Sequence, residues 1–123
     1  MASWIKIIND DDADADLKEA LDAARTPHGT IDNVMRVHSL RPNTMHGHMK
    51  LYRAVLHDEA NTLPTWLQEV IGSYVSSLNE CDYSYANHWK NAAYLIGEKS
   101  RADAIEDALK RRCLTDVFDG AEL

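Results

Sequence analysis

The sequence predicts an all-α fold of about six helices. Apolar residues recur at helical spacing in successive segments, and no segment of four to eight residues alternates cleanly as a strand. Five glycines and three prolines are few for a turn-rich β-sandwich or barrel. The chain has 123 residues, the length of one ordinary domain. We therefore expect residues 1–123 to form a single helical domain with short connections and antiparallel neighbours.

The first three elements follow an extended arm over residues 1–9. An acidic run at residues 10–16 favours a helix start, because carboxylates complement the positive end of the helix dipole. The first helix carries apolar residues at helical spacing (Leu17, Ala20, Leu21, Ala24) and ends at the turn over residues 26–29. A second helical piece over residues 31–37 stops before Pro42, which can itself open the third helix.

Three more helices are predicted in the second half. Pro64 opens the fourth helix. Its wide apolar face is formed by Leu63, Leu67, Val70, Ile71, Tyr74, Val75 and Leu78. The fifth runs from about Cys81 to Ile96 and ends at Gly97. Ser100, with Asp103 three residues on, predicts an N-cap for the sixth. The tail after Cys113 has three apolar residues to bury: Leu114, Val117 and Phe118.

Charge and cysteine content narrow the class of protein. The net charge of −7 makes nucleic acid and anionic membranes poor partners. Two cysteines cannot build a disulfide scaffold. The apolar run at residues 4–8 is too short for a signal peptide or a membrane span. We expect a soluble protein of the reducing cytoplasm.

Metal sites receive little support. Three aspartates have the spacing of calcium-loop positions 1, 3 and 5: Asp10, Asp12 and Asp14. Ala15 stands where that loop needs glycine and Leu21 where it needs a bidentate glutamate, so a solvated helix start explains the run better. His46 and His48 are two positions apart and point to different helix faces. We expect no metal and no cofactor.

The informative segment spans residues 69–88. One face of the fifth helix carries a thiol, a hydroxyl, a phenol and an imidazole: Cys81, Ser84, Tyr85 and His88. Cys81 lies at the helix start, where the dipole stabilises a thiolate, although the neighbouring carboxylates oppose it. His88 can take a proton from that face. Periodicity places Glu69 toward solvent, but small neighbours such as Gly72 permit another helix to approach and bury it.

This segment resembles the active-site motif of the alkylhydroperoxidase D (AhpD) and carboxymuconolactone decarboxylase superfamily. That motif is a glutamate, eleven residues, Cys-x-x-Cys, three residues and a histidine. Glu69 stands twelve positions before Cys81, and His88 seven positions after it. The stretches at residues 34–42 and 51–55 look like the peroxidase-related branch. The resemblance runs from about Trp4 to Phe118.

The resemblance implies a single AhpD-like helical bundle, a hydroperoxide substrate and a thiol or dithiol reductant. The implied catalytic residues are Glu69 and His88 as a proton relay and Cys81 as the first, partner cysteine. Ser84 occupies the place of the second cysteine, which peroxide oxidises in well-described members. A serine hydroxyl cannot pass through sulfenic acid and disulfide, so we expect at most weak peroxidase activity. Tyr83 and Tyr85 are the candidate substrate-binding residues.

Two other functions stay open on the same scaffold. Carboxymuconolactone decarboxylases perform acid–base chemistry on a lactone without a dithiol, which Glu69, His88 and Tyr85 could supply. A catalytically silent binding or assembly protein is the third reading. Cys113 is a possible resolving thiol, although it lies 32 positions after Cys81.

We also expect a homo-oligomer. Relatives in this family form dimers, trimers or hexamers, and we favour a trimer or a hexamer, with a dimer as the alternative. Nine large rings are spread over several helix faces, more than one small bundle core easily takes. The wide apolar face of the fourth helix points the same way.

Overall fold

Every regular element in the described part of the chain is helical. The computed structural model describes residues 3–26 and 28–120. Its six α-helices are Ala15–Ala23 (α1), Asn33–Arg36 (α2), Pro42–Leu56 (α3), Thr65–Leu78 (α4), Asp82–Ile96 (α5) and Lys99–Arg111 (α6). Short 3₁₀ turns lie at Asp10–Asp12 and Leu114–Asp116. The prediction of an all-α fold with about six helices is confirmed.

Two predicted elements extend beyond the described residues: the arm includes Met1 and Ala2, and the turn includes Pro27. Within residues 3–26 and 28–120, none of the helices has the length and apolar character needed to cross a membrane.

The chain divides into two compact units, Met1–Val55 and Leu56–Leu123. Each unit has its own cluster of buried apolar side chains. The prediction that residues 1–123 form one AhpD-like domain stays a prediction.

The first unit is built around α1. The Asp14 carboxylate accepts a hydrogen bond from the Leu17 N–H at 2.9 Å, so the acidic run does start the helix. Arg36 forms an ion pair with Asp10, which lowers the pKa of that carboxyl below its usual range. The buried cluster of this unit comprises Ala13, Leu17, Ala20, Leu21, Ala24, Ile31, Met35 and Met45.

The second unit is an antiparallel α4–α5 pair covered by α6 and the C-terminal turn. Residues early in α4 contact residues late in α5, and the reverse holds at the other ends, which makes the pair antiparallel. Its buried cluster comprises Leu67, Val70, Ala92, Ile105, Leu109 and Phe118. Phe118 stacks on Trp66 with ring centroids 6.5 Å apart. The expectation that the tail buries apolar residues is therefore correct.

The junction between α5 and α6 corrects one cap. Gly97 ends α5 in the left-handed conformation (φ 72°), as the sequence predicts. Only one extended residue, Glu98, then precedes α6, so the helix begins at Lys99 and not at a Ser100 cap. Ser100 lies inside the first turn and donates to the Glu98 carboxylate. Asp103 pairs with Lys99 at 2.6 Å.

The wide apolar face of α4 is split. Leu67 and Val70 are buried in the cluster of the second unit. Ile71, Val75 and Leu78 lie along the neighbouring edge of the same face, and each is a little under half exposed. One half of the predicted face therefore builds the core and the other half remains at the surface.

Candidate functional site

The candidate site lies between α4 and α5, and the turn joining these helices sets where α5 begins. Glu80 takes the left-handed conformation (φ 54°), and its N–H donates to the Ser77 carbonyl at 3.2 Å. The Cys81 N–H donates to the Ser76 carbonyl at 2.9 Å. These two bonds form the Schellman arrangement that ends a helix. The chain therefore reverses within three residues and starts α5 directly after Cys81.

Cys81 is the N-cap residue of α5, and its side chain is exposed. Among the described residues, the Cys81 side chain makes no capping hydrogen bond to the first turn of α5. The thiol therefore lies at the positive end of the helix dipole, flanked in the sequence by the carboxylates of Glu80 and Asp82.

A close approach of the helices is possible because α4 has a glycine opposite the His88 ring. A Cβ atom placed on Gly72 would lie 2.8 Å from His88 Nδ1 and 2.9 Å from Cγ. Any other residue at position 72 would therefore collide with the imidazole. The hydroxyl residues Ser73 and Ser76 are buried on the same side of α4, and their side chains bond back to carbonyls of their own helix.

Glu69 is buried against His88, contrary to what helical periodicity indicates. It is 2% exposed, and its Oε2 lies 2.7 Å from His88 Nδ1. Asn91 Nδ2 donates a longer bond of 3.3 Å to the other carboxylate oxygen. Since a carboxylate only accepts, the imidazole carries its proton on Nδ1 and leaves Nε2 as the open basic nitrogen. The side chain of His88 is 28% exposed, so the imidazole is partly open to solvent.

Ser84 is bonded to the α4 hydroxyl of Ser76. The two Oγ atoms are 2.8 Å apart, and Ser76 Oγ is also 2.7 Å from the Gly72 carbonyl. A hydroxyl has one proton to donate, so Ser76 can serve Ser84 or the carbonyl, but not both at once. The Gly72 carbonyl is also the α-helical acceptor for the Ser76 N–H, so it is not left unpaired when the hydroxyl turns to Ser84. Ser84 is half-buried.

The two tyrosines predicted to bind substrate have different surroundings. Tyr85 is half-buried and stacks on Trp89 with centroids 6.4 Å apart. Its hydroxyl donates to Glu106 Oε1 at 3.3 Å. Burial, together with the Glu106 carboxylate, raises the pKa of Tyr85 to about 12. Tyr85 therefore ties α5 to α6 with a neutral phenol, whereas Tyr83 has an exposed side chain.

Both cysteines are free thiols at the surface. Cys113 precedes the 3₁₀ turn at Leu114–Asp116, and its Sγ lies 3.5 Å from the Arg111 carbonyl. Among residues 3–26 and 28–120, no three His, Cys, Asp or Glu side chains lie close enough to hold a metal ion.

The sequence indicated the reactive groups of the site but not the side chains that hydrogen-bond to them. Asn91 and Ser76 carried no motif signal, and only the small size of residues 72, 73 and 76 hinted at a close helix contact. A histidine pair in the first unit was also missed. His38 Nε2 lies 3.0 Å from His48 Nδ1, and His38 Nδ1 lies 2.7 Å from Thr44 Oγ1. Burial and the neighbouring imidazole lower the pKa of His38 below its usual value.

No protein-family model, curated protein or solved structure matches this chain.

Proposed function

We propose that the chain is an AhpD-like, peroxidase-related oxidoreductase that reduces alkyl hydroperoxides with Cys81. The observation that carries this proposal is the buried Glu69 carboxylate, 2.7 Å from His88 Nδ1, on the helix pair that also presents Cys81 at the start of α5. Thiol peroxide chemistry uses a thiolate together with an imidazole and a carboxylate that move its proton, and this helix pair carries all three groups. The free state of both cysteines suits a reducing, cytoplasmic compartment.

The proposed reaction starts with the Cys81 thiolate attacking the terminal oxygen of the hydroperoxide. The S–O bond forms as the O–O bond breaks, which gives Cys81–SOH and an alkoxide that takes a proton to leave as the alcohol. His88 receives the thiol proton on Nε2 and returns it to the leaving alkoxide. Glu69 holds Nδ1 and stabilises the imidazolium formed between these two transfers.

The second half of the reaction requires an external thiol. Ser84 cannot resolve the sulfenic acid, because a hydroxyl does not form a disulfide. A low-molecular-weight thiol attacks Cys81–SOH and releases water, and a second thiol then reduces the mixed disulfide. A protein dithiol or Cys113 would serve in the same way. Because Ser84 replaces the second thiol of the motif, we expect weak turnover.

Peroxide reactivity is tested by trapping the sulfenic acid with dimedone after a stoichiometric dose of cumene hydroperoxide. Mass spectrometry should find the adduct on Cys81 in preference to Cys113, an internal control that is also an exposed thiol. Glu69→Gln should lower the yield at Cys81 and leave Cys113 unchanged. Equal labelling of the two cysteines would contradict a site at Cys81.

The serine position is tested by restoring the second thiol. Ser84→Cys should raise thiol-dependent peroxide reduction and allow a one-turn disulfide with Cys81. Ser77→Cys is the matched control, since Ser77 is also half-buried but lies on α4. If Ser84→Cys gives no more activity than Ser77→Cys, position 84 does not correspond to the second cysteine.

A carboxymuconolactone decarboxylase-like enzyme is the second candidate. The Glu69–His88 pair is intact, whereas the dithiol is missing, which suits acid–base chemistry. Carboxymuconolactone turnover that persists in Cys81→Ala and is lost in His88→Ala would favour it. Failure of both this assay and peroxide reduction would leave a silent binding or assembly protein.

We further propose that the chain forms a homo-oligomer. Support comes from the exposed apolar stripe on α4, formed by Ile71, Val75 and Leu78, which is ready to pack against a second copy. Light scattering at micromolar concentration should give a multiple of 13.9 kDa, with a trimer or hexamer favoured over a dimer. Val75→Glu should reduce the mass toward one chain, and a monomeric wild-type protein would refute the proposal.

A further inference from the structure

The site contains the three groups of a hydrolytic triad: the hydroxyl of Ser84, the imidazole base of His88 and the carboxylate of Glu69. The carboxylate is buried and holds His88 Nδ1 at 2.7 Å, which fixes the tautomer with Nε2 open. Ser84 precedes His88 by one helical turn, so the two side chains are neighbours on α5, with Cβ atoms about 5–6 Å apart. We propose that these residues form a Ser–His–Glu site that hydrolyses small carboxylic esters, with Ser84 as the nucleophile.

The Ser84 hydroxyl is available for this role because its present partner can switch. In the structure Ser84 is bonded to Ser76 and not to His88. When the Ser76 hydroxyl donates to Ser84 Oγ, the Ser84 proton is released from that contact and can turn toward the imidazole. Nucleophile–base bonds of this kind are often long before substrate binds and shorten in the complex. Gly72 leaves room for the base, since the His88 ring lies directly over it, where any other residue would place its Cβ.

The first turn of α5 places donors where negative charge would develop. Tyr85 makes the first α-helical bond of α5, from its N–H to the Cys81 carbonyl at 2.9 Å. The N–H groups of Asp82 and Ser84 lie ahead of that bond, where a helix offers no carbonyl to accept them. The Cα–Cβ bonds of a helix tilt toward its N-terminus, so the Ser84 side chain leans toward this end of α5. An ester carbonyl attacked by Oγ would bring its oxygen to the positive end of α5.

The reaction balances without any oxidant or metal. Ser84 Oγ attacks the ester carbonyl while its proton passes to His88 Nε2, and the carbonyl oxygen becomes an oxyanion. Collapse of this intermediate breaks the bond to the alcohol, which leaves with the proton from His88. A water molecule then gives a proton to His88 and attacks the acyl–Ser84 ester. Release of the carboxylic acid returns Ser84 and His88 to their starting states.

This activity is independent of the proposed peroxide chemistry. Esterolysis uses the oxygen of Ser84, whereas peroxide reduction uses the sulfur of Cys81. The two proposals share Glu69 and His88 but fail separately, because one is read as an acyl or phosphonyl group on Ser84 and the other as an oxygen on Cys81.

The first test labels the unmodified protein with a fluorophosphonate probe and locates the adduct by tandem mass spectrometry. The proposal expects the adduct on Ser84, with labelling lost in His88→Ala. Ser77→Ala is the matched serine control and should label as the wild type does. An adduct on any other residue, or no adduct under conditions that label a known serine hydrolase, would overturn the proposal.

The second test measures hydrolysis of 4-nitrophenyl acetate. We expect kcat/KM to fall at least about a hundredfold in both Ser84→Ala and His88→Ala, the lower end of the range for loss of general acid–base catalysis. Glu69→Gln should lower kcat more than it raises KM, because a residue that positions the base acts on the chemical step. Circular dichroism melting checks that each variant is folded. Hydrolysis by folded Ser84→Ala at the wild-type rate would show that other side chains carry the activity.

Discussion

Replacing Gly72 by alanine tests whether the close contact of α4 and α5 holds the candidate site together. Ordinarily the change favours a helix, since alanine is better than glycine by about 0.8–1.0 kcal/mol in a helix interior. Here the new Cβ would lie 2.8 Å from His88 Nδ1, while ordinary contacts begin near 3.4 Å. The ring must therefore retreat by about 0.6 Å.

That retreat acts on the bond between His88 and Glu69. Moving Nδ1 by this distance lengthens the 2.7 Å contact to at most about 3.3 Å, past the usual N–H···O range. A hydrogen bond to a charged group contributes about 1.5–3 kcal/mol. Subtracting the helix gain leaves a net loss of about 0.5–2 kcal/mol in the free energy of unfolding.

The matched control is Gly47→Ala. Gly47 also lies inside a helix, α3, but a Cβ there meets no atom within 4 Å. It should raise stability by up to about 1 kcal/mol. Urea unfolding followed by the fluorescence of Trp66 and Trp89 reports on the second unit, and circular dichroism reports on both.

A double-mutant cycle identifies the cause. In a His88→Ala background the collision is removed, so Gly72→Ala should regain the stabilising sign of an ordinary helical substitution. The reasoning is refuted if Gly72→Ala alone stabilises the protein as much as Gly47→Ala does.

Three further outcomes are expected elsewhere in the chain. Because the pKa of Tyr85 is raised to about 12, alkaline spectrophotometric titration should show a late phenol step that is lost in Tyr85→Phe and kept in Tyr94→Phe. The free energy of unfolding should also fall as pH rises from about 10 to 12, because in this range only the unfolded phenol ionises. Because the pKa of His38 is lowered below about 6.5, the unfolded chain binds this proton first as pH falls, so urea unfolding at pH 5.5 and 7.5 should show a smaller acid loss in His38→Gln than in wild type. Phe118→Ala should cost about 3–5 kcal/mol in unfolding free energy, because the ring is buried in a packed cluster, while the exposed neighbour variant Asp119→Ala should stay within about 0.5 kcal/mol.

Helix boundaries were predictable wherever backbone chemistry alone determines them. Pro42 opens α3 because its fixed φ suits a first turn, and Gly97 ends α5 because it takes a positive φ without strain. The start of α6 was not predictable in this way. Ser100 is a good cap by type, but the tight reversal at Gly97 had already begun the helix at Lys99.

The candidate site was also predictable only in part, where the relation between its residues lies within one helix. The spacing of Cys81, Ser84 and His88 places them on one helix face, because that relation lies within a single helix. The position of Glu69 depends on another helix, and a buried carboxylate has the same periodicity as a solvated one. Its burial follows from the partner side chain of His88 and the space above Gly72, which helical periodicity alone cannot reveal.

Position 84 decides which chemistry the shared base can serve. The Glu69–His88 pair fixes an open Nε2 whichever nucleophile lies beside it, because the tautomer is set by the carboxylate on the other nitrogen. A sulfur at position 84 would favour two-electron oxidation, since a thiolate can accept oxygen and then form a disulfide. An oxygen there cannot be oxidised in this way, but a serine hydroxyl can attack a carbonyl once a base takes its proton, which is the reaction proposed above. The two proposals use different nucleophiles on α5, Cys81 at its start and Ser84 in its first turn, so replacing either residue should show how much of the activity depends on the other.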